Sequence, residues 1–184
     1  MTTTVSTDRH RPNRFSSYTK IHETVIRQFI DTGFIGSENL AFSPQPNRKI
    51  RLKGEISCLG EIIISVDKML DILDWVDDDA IVQSRWYAYN ASVKNHGNIL
   101  RYDNQDFGYL RPGHLDEHHR HSFDWHDGHE YPTSPTWIGR DQWPVLSDVI
   151  FEIQDWYWDN RILLPFPDSY SEIEIRKNPP SLEL

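Results

Sequence analysis

The sequence predicts an α+β fold, in which an antiparallel sheet of four or more strands packs against a C-terminal amphipathic helix and a further helix lies near the N-terminus. Apolar and polar residues alternate through much of the stretch from Ile50 to Tyr102, which is the period of a half-buried strand. Apolar residues recur at helical spacing on both sides of that stretch. The predicted sheet is therefore flanked along the chain by two helices.

The first helix is predicted from Ser16 or Ser17 to about Thr32. Either serine can cap the first turn, and Gly33 suits the C-terminal stop. The apolar residues that share one face at helical spacing are Ile21, Val25, Ile26, Phe29 and Ile30. This face is expected to pack on the rest of the domain.

The sheet is predicted as two hairpins. Ile50–Ile56 and Glu61–Val66 flank a glycine turn, and Ile81–Asn90 and Ile99–Tyr102 flank a turn rich in Asn and Gly. The intervening path from Lys68 to Leu73 fits either a strand or one helical turn. The four strands are expected to form one antiparallel sheet.

The closing helix is predicted to begin at Asp141 or Trp143 and to end at Asn160. Pro144 suits a first helical turn, and the apolar residues that follow it recur at helical spacing. This amphipathic face is expected to cover the sheet.

These elements form a single predicted domain, residues 18–160, between a flexible N-terminal segment, residues 1–17, and a Pro-rich C-terminal tail, residues 161–184. Residues 105–135 show no sustained period and are interrupted by proline and glycine. We therefore expect a long His-rich loop there. Loops of that length without secondary structure are usually functional or disordered, and the aromatic content of this one argues against disorder.

Composition narrows the class of protein. The formal charge of −9 excludes a general nucleic-acid coat protein, which needs a broad basic face. The single cysteine, Cys58, cannot form an intrachain disulfide, as is usual in a reducing compartment. The polar N-terminus does not match a secretion signal, and the apolar runs are too short to span a bilayer. The sequence therefore predicts a cytoplasmic protein with no membrane partner.

Histidines cluster in one segment of the chain. Six of the nine lie between His114 and His129. A packed core does not require them, and a solvated surface usually carries Lys and Glu instead. Because imidazole titrates near neutral pH and binds metals, the cluster indicates proton transfer, metal binding or phosphate contact.

Several short elements occur in a recognisable order between residues 51 and 159. The hairpin GEISCLGEIIISV is followed by Tyr87-Ala88-Tyr89, by Arg101-Tyr102-Asp103-Asn104, by His118-His119-Arg120-His121 and by a closing amphipathic helix. This ordered set resembles the TumE family of bacterial type II toxin–antitoxin systems. The resemblance implies a toxin or defence-associated protein with a small antitoxin, or another neighbouring-gene protein, as its partner.

The first functional hypothesis is metal-independent processing of RNA, without a cofactor. Cleavage at a 2′-hydroxyl needs a group that removes a proton, a second that protonates the leaving oxygen, and a cation that offsets the phosphorane charge. The candidate catalytic residues are His118, His119, His121, Arg120, Arg101 and Asp103. The roles of base and acid stay open among the histidines. For Asp103, a simple Asp-Asn turn and a role in orienting a catalytic histidine also stay open.

Aromatic side chains near the histidines can stack on unpaired bases, although packing within the sheet and loop would also explain them. The candidate substrate-binding residues are Tyr102, Tyr109, Trp125 and Arg111.

The second hypothesis is a metal-binding hydrolase that uses the cluster from His114 to His121. Imidazole ligands suit zinc, copper or nickel, so a divalent transition metal such as zinc is the alternative cofactor, with His114, His118 and His121 as candidate ligands. His114–His118 also matches the HxxEH pattern of inverted zinc peptidases. We disfavour that match because Pro112 and Gly113 precede it and no helical apolar stripe surrounds it.

The third hypothesis is a non-catalytic protein-binding module. Exposed aromatic residues are common at protein interfaces, and an acidic body suits a basic partner. In that case the His-rich segment would be a recognition surface.

Overall fold

A computed structural model describes residues 10–104, 118–139 and 142–174 of the chain. These residues form an α+β fold with a large antiparallel sheet, an N-terminal helix and a C-terminal helix, which confirms the predicted fold class. Neither helix among these residues is long and apolar enough to cross a membrane.

The elements follow the predicted order, with additional short strands. The described strands are β1 (Asn13–Arg14), β2 (Ile35–Glu38), β3 (Ala41–Gln45), β4 (Lys49–Cys58), β5 (Ile62–Val76), β6 (Asp79–Val93), β7 (Asn98–Asp103), β8 (His119–Ser122) and β9 (Thr136–Trp137). The helices are α1 (Phe15–Asp31), α2 (Leu146–Asn160) and a 3₁₀ turn (Arg161–Leu163).

The strands form one sheet in the order β2-β4-β5-β6-β7-β8-β9, and each neighbouring pair is antiparallel. β3 also pairs with β4, and β1 pairs with the start of β6. The two longest strands, β5 and β6, are 15 residues each and form the centre of the sheet. Consecutive hairpins therefore carry the chain across the sheet to β8 and β9 at one edge.

Both helices pack on the same face of the sheet. Alternate residues of β5 are buried, including Ile62, Ile64 and Val66, as expected for a strand with one core face. The principal core cluster joins these residues to α1 and α2, and the rings of Phe29 and Phe151 lie 4.7 Å apart between the two helices. α1 and α2 thus lie together on one face of the sheet, and neither of them packs on the other face.

The ordered domain begins earlier than predicted. Within the expected flexible segment, Asn13 and Arg14 pair with β6, and Phe15 is buried. The helix accordingly begins at Phe15 rather than after a serine cap, and the hydroxyl of Ser16 donates instead to Asp79 at 2.5 Å. Pairing with β6 and burial of the Phe15 ring therefore order a segment whose polar sequence predicts flexibility. Residues 1–9 lie outside the described residues.

Two stretches differ from their local patterns because of strand pairing. The ambiguous path from Lys68 to Leu73 continues β5, which has a partner strand on each side. The segment His119–Ser122, which we expected to be irregular, is β8 because it pairs with β7 and β9. Residues 105–117 of the predicted loop lie outside the described residues.

The closing helix begins at Leu146, a few residues later than expected. Asp148 accepts a hydrogen bond from the Val145 amide at 3.0 Å, which caps the first turn. The predicted start at Asp141 lies outside the described residues, and Trp143 precedes the helix.

The beginning of the Pro-rich tail packs on the domain. Leu164 and Ser171 are buried, and Tyr170 forms an isolated bridge with Leu59. The Ser57 hydroxyl donates to the Ser171 carbonyl at 2.6 Å. These contacts attach the tail to the first hairpin, while residues 175–184 lie outside the described residues.

We expect His22 to make the folded state sensitive to mild acid. Burial, assisted by the positive charge of Lys68, lowers the pKa of His22 from 6.5 to about 4. The unfolded chain therefore binds more protons between these values, and stability falls as the pH falls. Urea unfolding from pH 6.5 to pH 4 should show a loss roughly 3 kcal/mol larger in the native protein than in His22→Leu. The exposed-histidine variant His126→Ala should retain the native pH dependence, and parallel profiles for the native protein and His22→Leu would contradict the prediction.

Candidate functional site

The register between β7 and β8 brings four polar side chains to one face of the sheet. Arg101 lies opposite His121, and Asp103 lies opposite His119. Residues two apart on a strand share a face, so these side chains form a compact group. Tyr102 lies between Arg101 and Asp103 on β7 and contacts Glu152 of α2. Because successive residues of a strand point to opposite faces, the group lies on the sheet face away from the helices.

The first part of the group is the pair formed by Asp103 and His119. The Asp103 Oδ1 atom lies 3.0 Å from His119 Nε2, and both side chains are almost fully buried. The other carboxylate oxygen accepts a hydrogen bond from Arg101 Nε at 2.7 Å. Asp103 is thus held between a guanidinium and an imidazole.

The second part is the pair formed by His121 and Glu130. His121 Nδ1 lies 2.5 Å from Glu130 Oε1, which also accepts a hydrogen bond from Ser134 at 2.5 Å. On its other side, His121 Nε2 lies 3.3 Å from Arg101 Nη2. Since a guanidinium only donates, this contact makes Nε2 the acceptor, and Nδ1 carries the proton that is donated to Glu130.

Glu130 is ionised in this arrangement. Burial raises its pKa, but the hydrogen bonds from Ser134 and His121 and the nearby positive charge of Arg101 outweigh burial, so the pKa lies below its ordinary value. An ionised Glu130 supports the tautomer of His121 in which Nε2 can accept a proton.

Arg101 connects the two histidine–carboxylate pairs. It contacts Asp103 and His121, and the ring centroids of His119 and His121 are 4.9 Å apart. The Arg101 side chain is 44% exposed and that of Glu130 is 38% exposed, so solvent reaches the group beside these two residues. With neutral histidines, Arg101, Asp103 and Glu130 give the group one more negative than positive charge.

Strand alternation places the other two predicted catalytic residues on the helix side of the sheet. His118 is buried, with Nδ1 3.3 Å from the Tyr87 hydroxyl and its ring 4.7 Å from that of Trp143. Arg120 donates to Glu152 of α2 at 2.6 and 2.9 Å. These side chains therefore do not share the face occupied by His119 and His121.

Two of the predicted substrate-binding residues, Tyr102 and Trp125, are described by the structure, and both contact α2. The Tyr102 hydroxyl donates to Glu152 at 2.7 Å on the helix side. Trp125 is buried and packs edge-on against Trp156, so its ring belongs to the core. Tyr109 and Arg111 lie outside the described residues.

The Asp103-Asn104 pair combines two local roles. Asp103 contacts His119, as expected of a residue that orients a histidine. Asn104 bonds to the β6 backbone instead, accepting from the Tyr87 amide at 2.8 Å and donating to the Arg85 carbonyl at 3.2 Å. The pair thus anchors the end of β7 while presenting a carboxylate to the site.

Sequence reasoning did not single out Glu130 or Ser134. A chain reversal brings them to His121: Phe123 and Glu130 form a bridge, and Gly128 adopts a φ of +76° between them. The Asp127-Gly128 turn signal, with an acidic residue shortly after it, is the feature that could have identified Glu130.

One set of side chains at the site could hold a metal ion. Asp103, His119 and His121 each offer a ligand atom, and these atoms lie within 4.8 Å of one another. One carboxylate with two imidazoles suits zinc. Arg101 already donates to Asp103 and His121, however, so a cation would have to displace a fixed positive charge.

The predicted ligand set of His114, His118 and His121 is not assembled by the described residues. His118 lies on the sheet face opposite His121, and His114 lies outside the described part of the chain.

Comparison with known proteins gives no relative for this chain. No protein-family model matches it, and neither a curated protein nor a solved structure is significantly similar to it.

Proposed function

We propose that this protein is a metal-independent ribonuclease, acting in the cytoplasm as a toxin or defence-associated protein. The observation that carries the proposal is that Arg101 joins two histidine–carboxylate pairs on one sheet face. Two imidazoles in different electrostatic surroundings, with a cation between them, are the groups that cleavage beside a 2′-hydroxyl requires.

His121 is the general base in this proposal. Its Nε2 atom accepts a hydrogen bond from Arg101, while Glu130 holds the proton on Nδ1. When Arg101 turns to the substrate phosphate, Nε2 takes the proton of the 2′-hydroxyl. The 2′-oxygen then attacks phosphorus, and Arg101 offsets the charge that develops on the phosphorane.

His119 is the general acid. Asp103 contacts its Nε2 atom and fixes the orientation of the ring, and the contact with Arg101 keeps that carboxylate in place. His119 donates its proton to the departing 5′-oxygen, so the P–O5′ bond breaks as the 2′,3′-cyclic phosphate forms. The proton removed by His121 and the proton given by His119 balance the reaction.

The toxin role and a small antitoxin partner rest on the resemblance to the TumE family. Its Arg-Tyr-Asp-Asn and His-His-x-His elements contribute Arg101, Asp103, His119 and His121 to the group described above. The cluster thus consists mainly of side chains from the two motifs on which the resemblance depends.

A short single-stranded RNA tests the reaction when it is incubated with purified protein in EDTA. We expect cleavage that leaves a 2′,3′-cyclic phosphate, and no cleavage when the nucleotide before the scissile bond is 2′-deoxy. Expression in a bacterial host should arrest growth, and co-expression of the neighbouring gene product should relieve the arrest. Equal cleavage of the ribose and deoxyribose substrates would contradict the mechanism.

A metal-dependent hydrolase is the second candidate, favoured by the proximity of Asp103, His119 and His121 and by the excess negative charge of the group. In that case EDTA removes activity, zinc restores it, and elemental analysis finds a stoichiometric ion that is lost in His119→Ala. A protein that cleaves no RNA and binds no metal would instead support the third hypothesis, a non-catalytic binding module.

A further inference from the structure

A cavity of about 270 Å³ lies on the helix side of the sheet, away from the histidine–carboxylate pairs. α1, the start of α2 and the central strands enclose it. Its aliphatic lining residues are Ile21, Val25, Leu52, Val82, Val145 and Leu146. The exposed residues Arg11 and Asn13 also line it and mark its mouth. The walls thus suit an apolar ligand body.

A buried ammonium lines this cavity. Lys68 occupies a core-facing position of β5, in the alternating row that includes Val66 and Leu70, and it is only 5% exposed. Its Nζ atom lies 5.3 Å from the centroid of the Tyr18 ring. Within the described residues, no carboxylate lies within ion-pair distance of Lys68. A buried charge without a counterion is costly, so a lysine in this row requires an explanation.

A second polar group with unused hydrogen-bonding capacity lies beside Lys68. The hydroxyl of Tyr89 is buried, lines the same cavity and interacts with Lys68, but within the described residues no acceptor takes the proton that this hydroxyl can donate. Buried hydroxyls in native proteins are nearly always hydrogen-bonded. A cation and a hydroxyl donor therefore face the same cavity.

The charges around the cavity favour an anion. Burial lowers the pKa of Lys68, but the oxygens of Tyr18 and Tyr89 raise it by more, so Lys68 remains charged. His22 is neutral near pH 7, because burial lowers its pKa to about 4. The carboxylate of Asp148 acts electrostatically on Tyr89, but it caps α2 by accepting a hydrogen bond from the Val145 amide. The residues that line the cavity are otherwise neutral or basic.

We propose that this cavity binds a small organic carboxylate with an apolar body. The carboxylate forms an ion pair with Lys68 and accepts a hydrogen bond from the Tyr89 hydroxyl, and the apolar body lies against Val25, Leu52 and Leu146. One buried cation matches one negative charge, whereas a phosphate would bring a second charge and no apolar surface for the walls to cover. The site does not depend on the proposed ribonuclease reaction, because it lies on the opposite face of the sheet.

Calorimetry and ligand-observed NMR test this site with three probes: phenylacetate, 3-phenylpropionate and hexanoate, each compared with its neutral amide. We expect at least one carboxylate to bind at a single site with a dissociation constant below about 1 mM, and its amide to bind at least tenfold more weakly. Lys68→Met should weaken carboxylate binding at least tenfold, and Tyr89→Phe about fivefold for the loss of one hydrogen bond.

Lys53→Met is the matched control, because Lys53 is an exposed lysine on the adjacent strand β4. It should bind the carboxylates as the native protein does. Thermal unfolding of each variant shows that the fold persists, and Lys68→Met should not be destabilised because it removes a buried charge. The proposal is overturned if none of the carboxylates binds, if the amides bind equally well, or if Lys68→Met binds unchanged.

Discussion

Replacing His119 or His121 with alanine should lower the rate of RNA cleavage by at least about a hundredfold, because each removes one of the two proton transfers. Under the proposed mechanism the double variant should be little worse than either single variant, since the two histidines act in the same step. The measurement is single-turnover cleavage of one short RNA in EDTA, with circular dichroism to confirm the fold.

His129→Ala is the matched control for that experiment. His129 belongs to the same His-rich segment, but its side chain is 84% exposed and it pairs only with Asp127 among the contacts described. Its activity should equal that of the native protein. Undiminished cleavage by the double variant His119→Ala/His121→Ala would exclude the assigned roles and leave the RNA chemistry to other residues.

Replacing the Asp103 carboxylate tests the same mechanism through the dependence of the cleavage rate on pH. In Asp103→Asn, the negative charge beside His119 Nε2 is removed, so the descending limb of the pH–rate curve should move to lower pH. A purely structural role for Asp103 would reduce the amount of folded protein without moving that limb.

Replacing Tyr157 with alanine should lower the free energy of unfolding by about 3–5 kcal/mol, the usual cost of removing a large buried aromatic side chain. Tyr157 is fully buried on α2, and its ring lies 5.9 Å from that of Phe34. Its hydroxyl donates to the Pro167 carbonyl at 3.0 Å. The side chain therefore connects α2, the segment before β2 and the C-terminal tail.

Two variants separate the contributions of Tyr157. Tyr157→Phe removes the hydrogen bond to the tail and should cost about 1 kcal/mol. Trp158→Ala removes the adjacent aromatic residue, which is 57% exposed, and should cost less than about 1 kcal/mol. Urea unfolding measures all three, and a cost for Tyr157→Ala no larger than that for Trp158→Ala would contradict this account of the core.

The fold class could be predicted from the sequence because strand and helix periods are local. Alternation in β4 to β7 and the apolar stripes of α1 and α2 follow from which residues must be buried on one face of each element. The strand β8 could not be predicted in this way. All four of its residues are polar, two on each face, so no apolar alternation marks it, and only pairing with β7 and β9 makes it a strand.

The candidate site was partly predictable for the same reason. The sequence identified Arg101, Asp103, His119 and His121, but it grouped them with His118 and Arg120, which the structure places on the other face. It did not identify Glu130, which reaches His121 through a turn. Lys68 did leave a local signal, because it interrupts an apolar alternation in β5, but that stretch was also compatible with a helical turn.

By itself, the sequence determined the helices, the central strands and the concentration of imidazole groups in one segment, because periodicity and composition are properties of neighbouring residues. The tertiary structure decided which histidines share a face, which carboxylate each one meets, and that a lysine is enclosed beneath α1. Those outcomes depend on the register between strands that are distant in the chain, where a shift of one residue would exchange the two faces.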